Sequence, residues 1–387
     1  MYSLLSIFII IPLIFSHTFA RLWESFIIEN GIWSFESVKV SVFFVLIFCA
    51  TTEIAISKND FFSKKTLIFL SGIIGFILFE YTLFWPESVF WIWEKQHGSL
   101  FFASLLWFWY LLSQVVKNHQ KLFIDTIIST ALIVALIAIV EYLFSYNIFS
   151  WFIDTTGSSW WNGRATATLG NPNYVAGYLL IILPFLWTIS SKWKFYASLI
   201  ILPLGIISTW SVIGIVMCIL YYIYFALGRL PLSHARSIFI ALAIVSGIIL
   251  FEILNGSEKW LSLSSRFILM KETFMTTIEN SHTNIIGAWP NGIIEHYENV
   301  RTKEIMSYFP LDMIIDSSHN IFIDFFAKFW IIPFIWFFYF MRKKWSHLNK
   351  TSCQGLILAI LFLSLNVGVL SHYIIMVYLL LSEKQKA

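Results

Sequence analysis

The stretch Phe195-Tyr196-Ala197-Ser198-Leu199-Ile200-Ile201-Leu202-Pro203-Leu204-Gly205-Ile206-Ile207, continued by Ser208-Thr209-Trp210-Ser211 and then by Val212-Ile213-Gly214-Ile215-Val216-Met217-Cys218-Ile219-Leu220, carries no charged residue. The apolar bias holds over residues 195–228. At about 1.5 Å per residue this is too long for one ordinary membrane span of roughly 20 residues. The run therefore divides into two apolar helices, 195–208 and 212–228. Ser208-Thr209-Trp210-Ser211 is the turn between them.

The rest of the chain reads the same way. Of its 387 residues 58% are apolar and 12% charged, where soluble domains carry roughly 25% charged residues. Mean hydropathy is +0.78. Further windows fall at 3–20, 38–57, 66–84, 99–116, 124–146, 173–190, 237–253, 319–340, 354–368 and 371–382, so about twelve transmembrane helices are expected in an all-α integral membrane protein. No basic region precedes the first run, which reads as a retained span rather than a cleaved signal. Internal repeats are absent, and residues 1–387 read as a single polytopic membrane domain. Net charge is only +3 with scattered cations, which excludes a nucleic-acid footprint. Cys49, Cys218 and Cys353 lie far apart in apolar runs and form neither a disulfide nor a metal set.

Charge asymmetry sets the orientation. With the N-terminus inside, Lys58, Lys64, Lys65, Lys117, Lys121, Lys192, Lys194, Arg229, Arg236, Arg342, Lys343, Lys344, Lys350, Lys384 and Lys386 share one face, 15 of the 25 basic residues. Short loops near span ends are where the positive-inside bias acts. Trp85, Trp91, Trp93, Trp151, Trp160 and Trp161 fall on the other face and fit an interfacial aromatic belt.

Two polar islands lie on that outer face. One is Gly163-Arg164-Ala165-Thr166-Ala167-Thr168-Leu169-Gly170-Asn171-Pro172-Asn173-Tyr174. The other is the long loop 254–318, which leads into Asp316-Ser317-Ser318-His319-Asn320. Within it Ser264 is the expected N-cap of an amphipathic helix carrying Phe267, Met270, Phe274, Met275 and Ile278, with Glu272 and Glu279 opposite. A loop of this length with its own helix is usually functional, and a lid on the membrane surface is expected.

Arg164 and Arg266 can bind phosphate through a planar fork of donors that stays charged. His319 can take a proton from a hydroxyl near neutral pH. Two cations and one base fit transfer of a group whose leaving group is a phosphate. Each residue also has a structural alternative: a snorkelling arginine, a satisfied histidine, and Asn171-Pro172-Asn173 as a capped helix start. Glu141 lies just inside the outer end of its span, where it needs a partner, and an arginine of the site is expected to supply one. The chain lacks metal-ligand spacing, a P-loop, a dinucleotide fingerprint and a nucleophile elbow.

In order and separation three motifs resemble the O-antigen ligase family and its relatives, the O-antigen polymerases and protein O-oligosaccharyltransferases. They are Gly163 to Tyr178, Ser265-Arg266-Phe267 with Ile285-Ile286-Gly287 downstream, and Asp316-Ser317-Ser318-His319-Asn320-Ile321-Phe322-Ile323-Asp324. The resemblance covers roughly residues 120–345. It implies a GT-C-like, metal-independent glycosyltransferase in the bacterial inner (cytoplasmic) membrane, with its site facing the periplasm and no cofactor beyond its donor. That donor would be an undecaprenyl-diphosphate-linked glycan, and the acceptor a hydroxyl of a lipid, polysaccharide or protein. The resemblance also implies His319 as general base, Arg164 and Arg266 on the diphosphate, and Asn320, Asn171, Asn173, Tyr174 and Asp316 around the substrate. One departure stands out. Where the family usually carries Ser-Arg-Gly, this chain has Ser211-Val212-Ile213-Gly214, with valine in place of a functional arginine. A weakened, non-enzymatic member or a lipid-linked glycan transporter is the alternative that this valine raises.

Overall fold

The computed structural model describes residues 1–13, 37–57, 63, 65–75, 77–78, 99–145, 164–169, 171–227, 258–279, 320, 322–323, 326, 335, 339, 342–343, 348 and 350–363. Among them all regular structure is helical, so the fold is all-α. The longer helices are α1 (Tyr2–Leu13), α2 (Ser37–Ser57), α3 (Lys65–Gly75), α4 (Ser99–Phe144), α5 (Pro172–Ile182), α6 (Lys192–Ser208), α7 (Val212–Leu227), α8 (Glu258–Glu279) and α9 (Lys350–Leu363).

The chain forms two compact units. One comprises Met1–Thr209, Tyr339–Ile357 and Gly368–Ala387, and the other Trp210–Phe338 and Leu358–Val367. In the first, α4 packs along α6, while α1 packs on α2 and α4, and α5 on α6. Phe8, Phe43, Phe108 and Phe123 are buried at the junction of α1, α2 and α4. Their rings meet edge-on, with centroids 5.4 Å apart for Phe43–Phe108 and 5.9 Å for Phe8–Phe123, a geometry aromatic quadrupoles favour. Glu53 of α2 accepts the N–H groups of Tyr2 and Ser3 at 3.1 Å each, closing the open N-terminal turn of α1.

The α4–α6 contact is close because small residues face each other. Ala131, Ala135 and Ala138 are buried on α4, and a Cβ added at Gly205 of α6 would lie 2.7 Å from the Ala135 Cβ. Small residues let helix backbones approach in this way. The opposite side of α4 is just as apolar but exposed, with Ile133, Leu136, Leu143 and Phe144 outward. A helix apolar on both sides needs a non-aqueous neighbour for its outer face.

The turn expected at 208–211 is present: α6 ends at Ser208 and α7 begins at Val212. The two expected helices, 99–116 and 124–146, are both present as the two halves of α4 and meet at a kink at His119 (φ −133°, ψ 25°). No glycine or proline lies between Lys117 and Phe123, so the helix resumes after one residue. One helix among the described residues, Asn118–Phe144 with 27 residues, is long and apolar enough to cross a membrane. The other apolar helices there, among them Tyr2–Leu13, Val42–Ser57, Pro172–Thr188 and Val212–Tyr224, are shorter. Expected spans 237–253 and 371–382, and most of 319–340, lie outside the described residues.

The helix of the long loop is present, but Ser264 does not cap it. It starts at Glu258, so Ser264 lies inside. Trp260, Leu261 and Leu263 extend the apolar pattern upstream, and an acidic residue at the first position suits the helix dipole. Phe267, Phe274, Met275 and Ile278 are exposed, whereas Ser265, Leu269, Met270, Thr273 and Thr277 are buried. Thr273 and Thr277 hydroxyls donate to the carbonyls of Leu269 and Thr273, so their burial leaves no donor unmet.

Candidate functional site

The first polar island folds as a tethered loop at the end of α4. Asn171 is extended (φ −138°, ψ 126°), and its Oδ1 accepts the Asn173 N–H at 2.9 Å, while Pro172 occupies the first helical turn of α5. This is a side-chain N-cap followed by proline, as the sequence led one to expect. The cap matters because α5 is buried from Val175 to Ile182. Asn171→Ala is expected to cost about 1 kcal/mol, read as a lower thermal midpoint of the purified protein. An unchanged midpoint would show that the cap carries no stability.

Upstream of the cap the loop is pinned residue by residue. Ala165 N–H donates to the Ser208 carbonyl at 3.1 Å. Thr166 and Ala167 N–H groups donate to Glu141 Oε2 at 3.0 and 2.7 Å. The Thr168 hydroxyl donates to the Pro12 carbonyl near the end of α1, where helix carbonyls lack intrahelical donors. Ala167 has φ 42°, in the left-handed region. Two successive N–H groups that converge just before a left-handed residue make a concavity suited to an anion. Glu141 fills it.

That corrects the expectation that Glu141 pairs with an arginine. Its carboxylate is 5% exposed and takes two backbone donors on Oε2, while Oε1 has no partner among the described residues. Backbone partners leave no mark in the sequence, so only the structure reveals them.

Arg164 is half-buried at the start of this loop. Its Nε donates to the Thr209 carbonyl at 3.0 Å, and an Nη reaches Asn173 Oδ1 at 3.5 Å. Burial lowers its pKa below the ordinary arginine value, yet arginine keeps its proton across the accessible pH range. The result is a permanent, half-buried cation held by two oxygen acceptors, and partial burial strengthens the attraction of a guanidinium for an oxyanion. Tyr174 is half-buried in the first turn of α5, with its N–H on the Asn171 carbonyl at 3.0 Å.

Arg266 and Asn320 belong to the other unit. Arg266 is half-buried in α8, one turn before Met270. Asn320 Oδ1 accepts the N–H groups of Phe322 and Ile323 at 2.9 and 3.1 Å, and its Nδ2 approaches Met270 Sδ at 3.9 Å. Asn320 thus starts the next helical segment and docks it on α8, and the Phe274 and Phe326 rings add a contact at 5.8 Å. His319 and Asp316 lie outside the described residues. The structure therefore holds Arg164, Asn171, Asn173 and Glu141 around one loop of the first unit, while Arg266 and Asn320 belong to the other, where Asn320 meets Met270 of α8.

Trp210 lies in the turn expected at 208–211, but its residue type gives no sign of its backbone conformation. It follows the last turn of α6 with φ 50°, where glycine is usual. No family model, no curated protein and no solved structure matches this chain. The class these observations define is an all-α fold among the described residues, with one helix there of membrane-spanning length and, in the first unit, a loop that joins half-buried Arg164 to the backbone donors of buried Glu141.

Proposed function

We propose that this chain is an integral membrane glycosyltransferase of about twelve spans and GT-C-like fold, similar to O-antigen ligases, with its site on the outer face of the bacterial cytoplasmic membrane. It moves a glycan from undecaprenyl diphosphate to an acceptor hydroxyl. The acceptor oxygen bonds to the anomeric carbon as the bond from that carbon to the diphosphate oxygen breaks. The electron pair leaves with undecaprenyl diphosphate, and the hydroxyl proton passes to His319. Arg164 and Arg266 offset the charge gathering on the departing diphosphate.

The observation that carries this proposal is the fixed aim of Arg164, whose Nε is held by the Thr209 carbonyl beside Asn173, within the motif that resembles the family. The exposed apolar faces of α4 and α8 support a bilayer around the protein. Transfer of a lipid-linked glycan by purified protein in detergent is the direct test. His319→Ala and Arg266→Ala are each expected to lose about a hundredfold or more. Full activity in both removes the mechanism. Val212, in place of the family's arginine, favours a second reading in which catalysis is weakened or lost. Wild-type protein that transfers nothing from any lipid-linked donor favours that alternative.

A further inference from the structure

We propose that Glu141 is the positioning residue for Arg164: it sets the shape of the loop that aims the guanidinium, although it touches no substrate. This rests on the proposed role of Arg164 and deepens it. Two N–H groups, on the second and third residues after Arg164, converge on one carboxylate oxygen at 3.0 and 2.7 Å. Directly after these donors the chain turns at Ala167 with φ 42°, a conformation an L-residue with a side chain avoids. The carboxylate stabilises a backbone shape that the sequence Arg164-Ala165-Thr166-Ala167 does not favour on its own. On the other side of Arg164's own fixings, Ala165 is tied to Ser208 and Arg164 Nε to Thr209. Glu141 therefore anchors the loop from the α4 side, opposite the bonds to Ser208 and Thr209 and beside that of Thr168 to Pro12.

Stability does not explain a carboxylate at this place. It is buried, and its Oε1 has no partner among the described residues. A buried carboxyl group with an unsatisfied oxygen is unfavourable unless something else retains it. The nearest consequence of its presence is the direction of Arg164. Misplacing a catalytic group by about 1 Å can lower turnover by about a hundredfold.

The test uses the full chain in detergent and two readouts. The first is the rate at which phenylglyoxal modifies Arg164, followed by mass spectrometry, with exposed Arg342 as the internal reference. The second is kcat and KM for glycan transfer. Glu141→Ala is expected to raise the Arg164 rate about fivefold or more relative to Arg342, and to lower kcat about tenfold or more while KM moves less. Glu141→Gln keeps an acceptor oxygen for both N–H groups, and both readouts should stay near wild type. Glu141→Asp keeps the charge but is one methylene too short. It should behave like alanine, and it carries the test if Glu141→Ala fails to fold. An Arg164 rate unchanged in both the alanine and aspartate variants overturns the proposal. So does a glutamine variant that behaves like alanine, since charge and not shape would then be the cause. The modification readout needs no catalysis, so a protein without transferase activity sinks the proposed function while leaving the positioning role decided on its own.

Discussion

Arg164→Ala is expected to lower the proposed glycan transfer by about two to three orders of magnitude, and Arg164→Lys is expected not to restore it. The alanine variant removes a cation that the proposed reaction needs as the diphosphate leaves. The lysine variant is the sharper measurement because it keeps the charge. An ammonium is a point charge on a flexible stem, whereas the guanidinium holds the Thr209 carbonyl at 3.0 Å with Nε while another nitrogen reaches Asn173 at 3.5 Å. Lysine has no donor at the Nε position, so it cannot be aimed by Thr209 and present its charge at the same time. It is expected to recover no more than about a tenth of the activity. Neither variant should unfold the protein, because the loop keeps its bonds from Ala165, Thr166, Ala167 and Thr168. The measurement is transfer by purified variants, with a thermal scan on the same samples. A lysine variant with wild-type turnover would show that charge alone suffices and that the orienting contacts are incidental.

What could be read in advance follows from which interactions leave a trace in residue type. The turn at Ser208–Ser211 was legible because apolar runs of that length must break, and small polar residues mark where. The start of α5 was legible because Asn171 and Pro172 each have a local reason to stand at a helix N-terminus. Glu141 was legible as a problem, an acid near the end of an apolar helix, but not as its solution. Its partners are backbone N–H groups that every residue except proline carries. Ala167 in the left-handed region had no glycine or asparagine to announce it, and the same holds for Trp210. The break between the two halves of α4 was legible in hydropathy, but its position at His119 was not, since the residues there all tolerate helix. In α8 the helical period of the apolar residues was legible, but not which of them would be buried. Phe267, Phe274 and Ile278 are exposed, whereas Met270, Thr273 and Thr277 are buried. Periodicity gives a face and not the side it turns to.

Gly205→Ala is expected to destabilise the first unit by about 1–3 kcal/mol, as overpacking of a close interior contact does. A Cβ at 205 would stand 2.7 Å from the Ala135 Cβ, 2.9 Å from its Cα and 3.0 Å from Leu179 Cδ1. The leucine methyl can swing aside. The Ala135 backbone cannot, since it sits mid-helix in α4 with buried residues on both sides. The helices must therefore separate, which weakens the tight α4–α6 seam on which Ser208 and Thr209 are carried towards Ala165 and Arg164. Adding Ala135→Gly to Gly205→Ala relieves the shortest contact and leaves the one to the Cα, so the double variant should recover part of the loss. Ala135→Gly alone costs about 1 kcal/mol through helix propensity, which makes any recovery a measure of coupling across the seam. Thermal midpoints of the four proteins in one detergent close the cycle. If Gly205→Ala leaves the midpoint unchanged, or the two substitutions simply add, α4 and α6 do not approach as closely here as the distances require. The fixed aim of Arg164 would then lose its foundation as well.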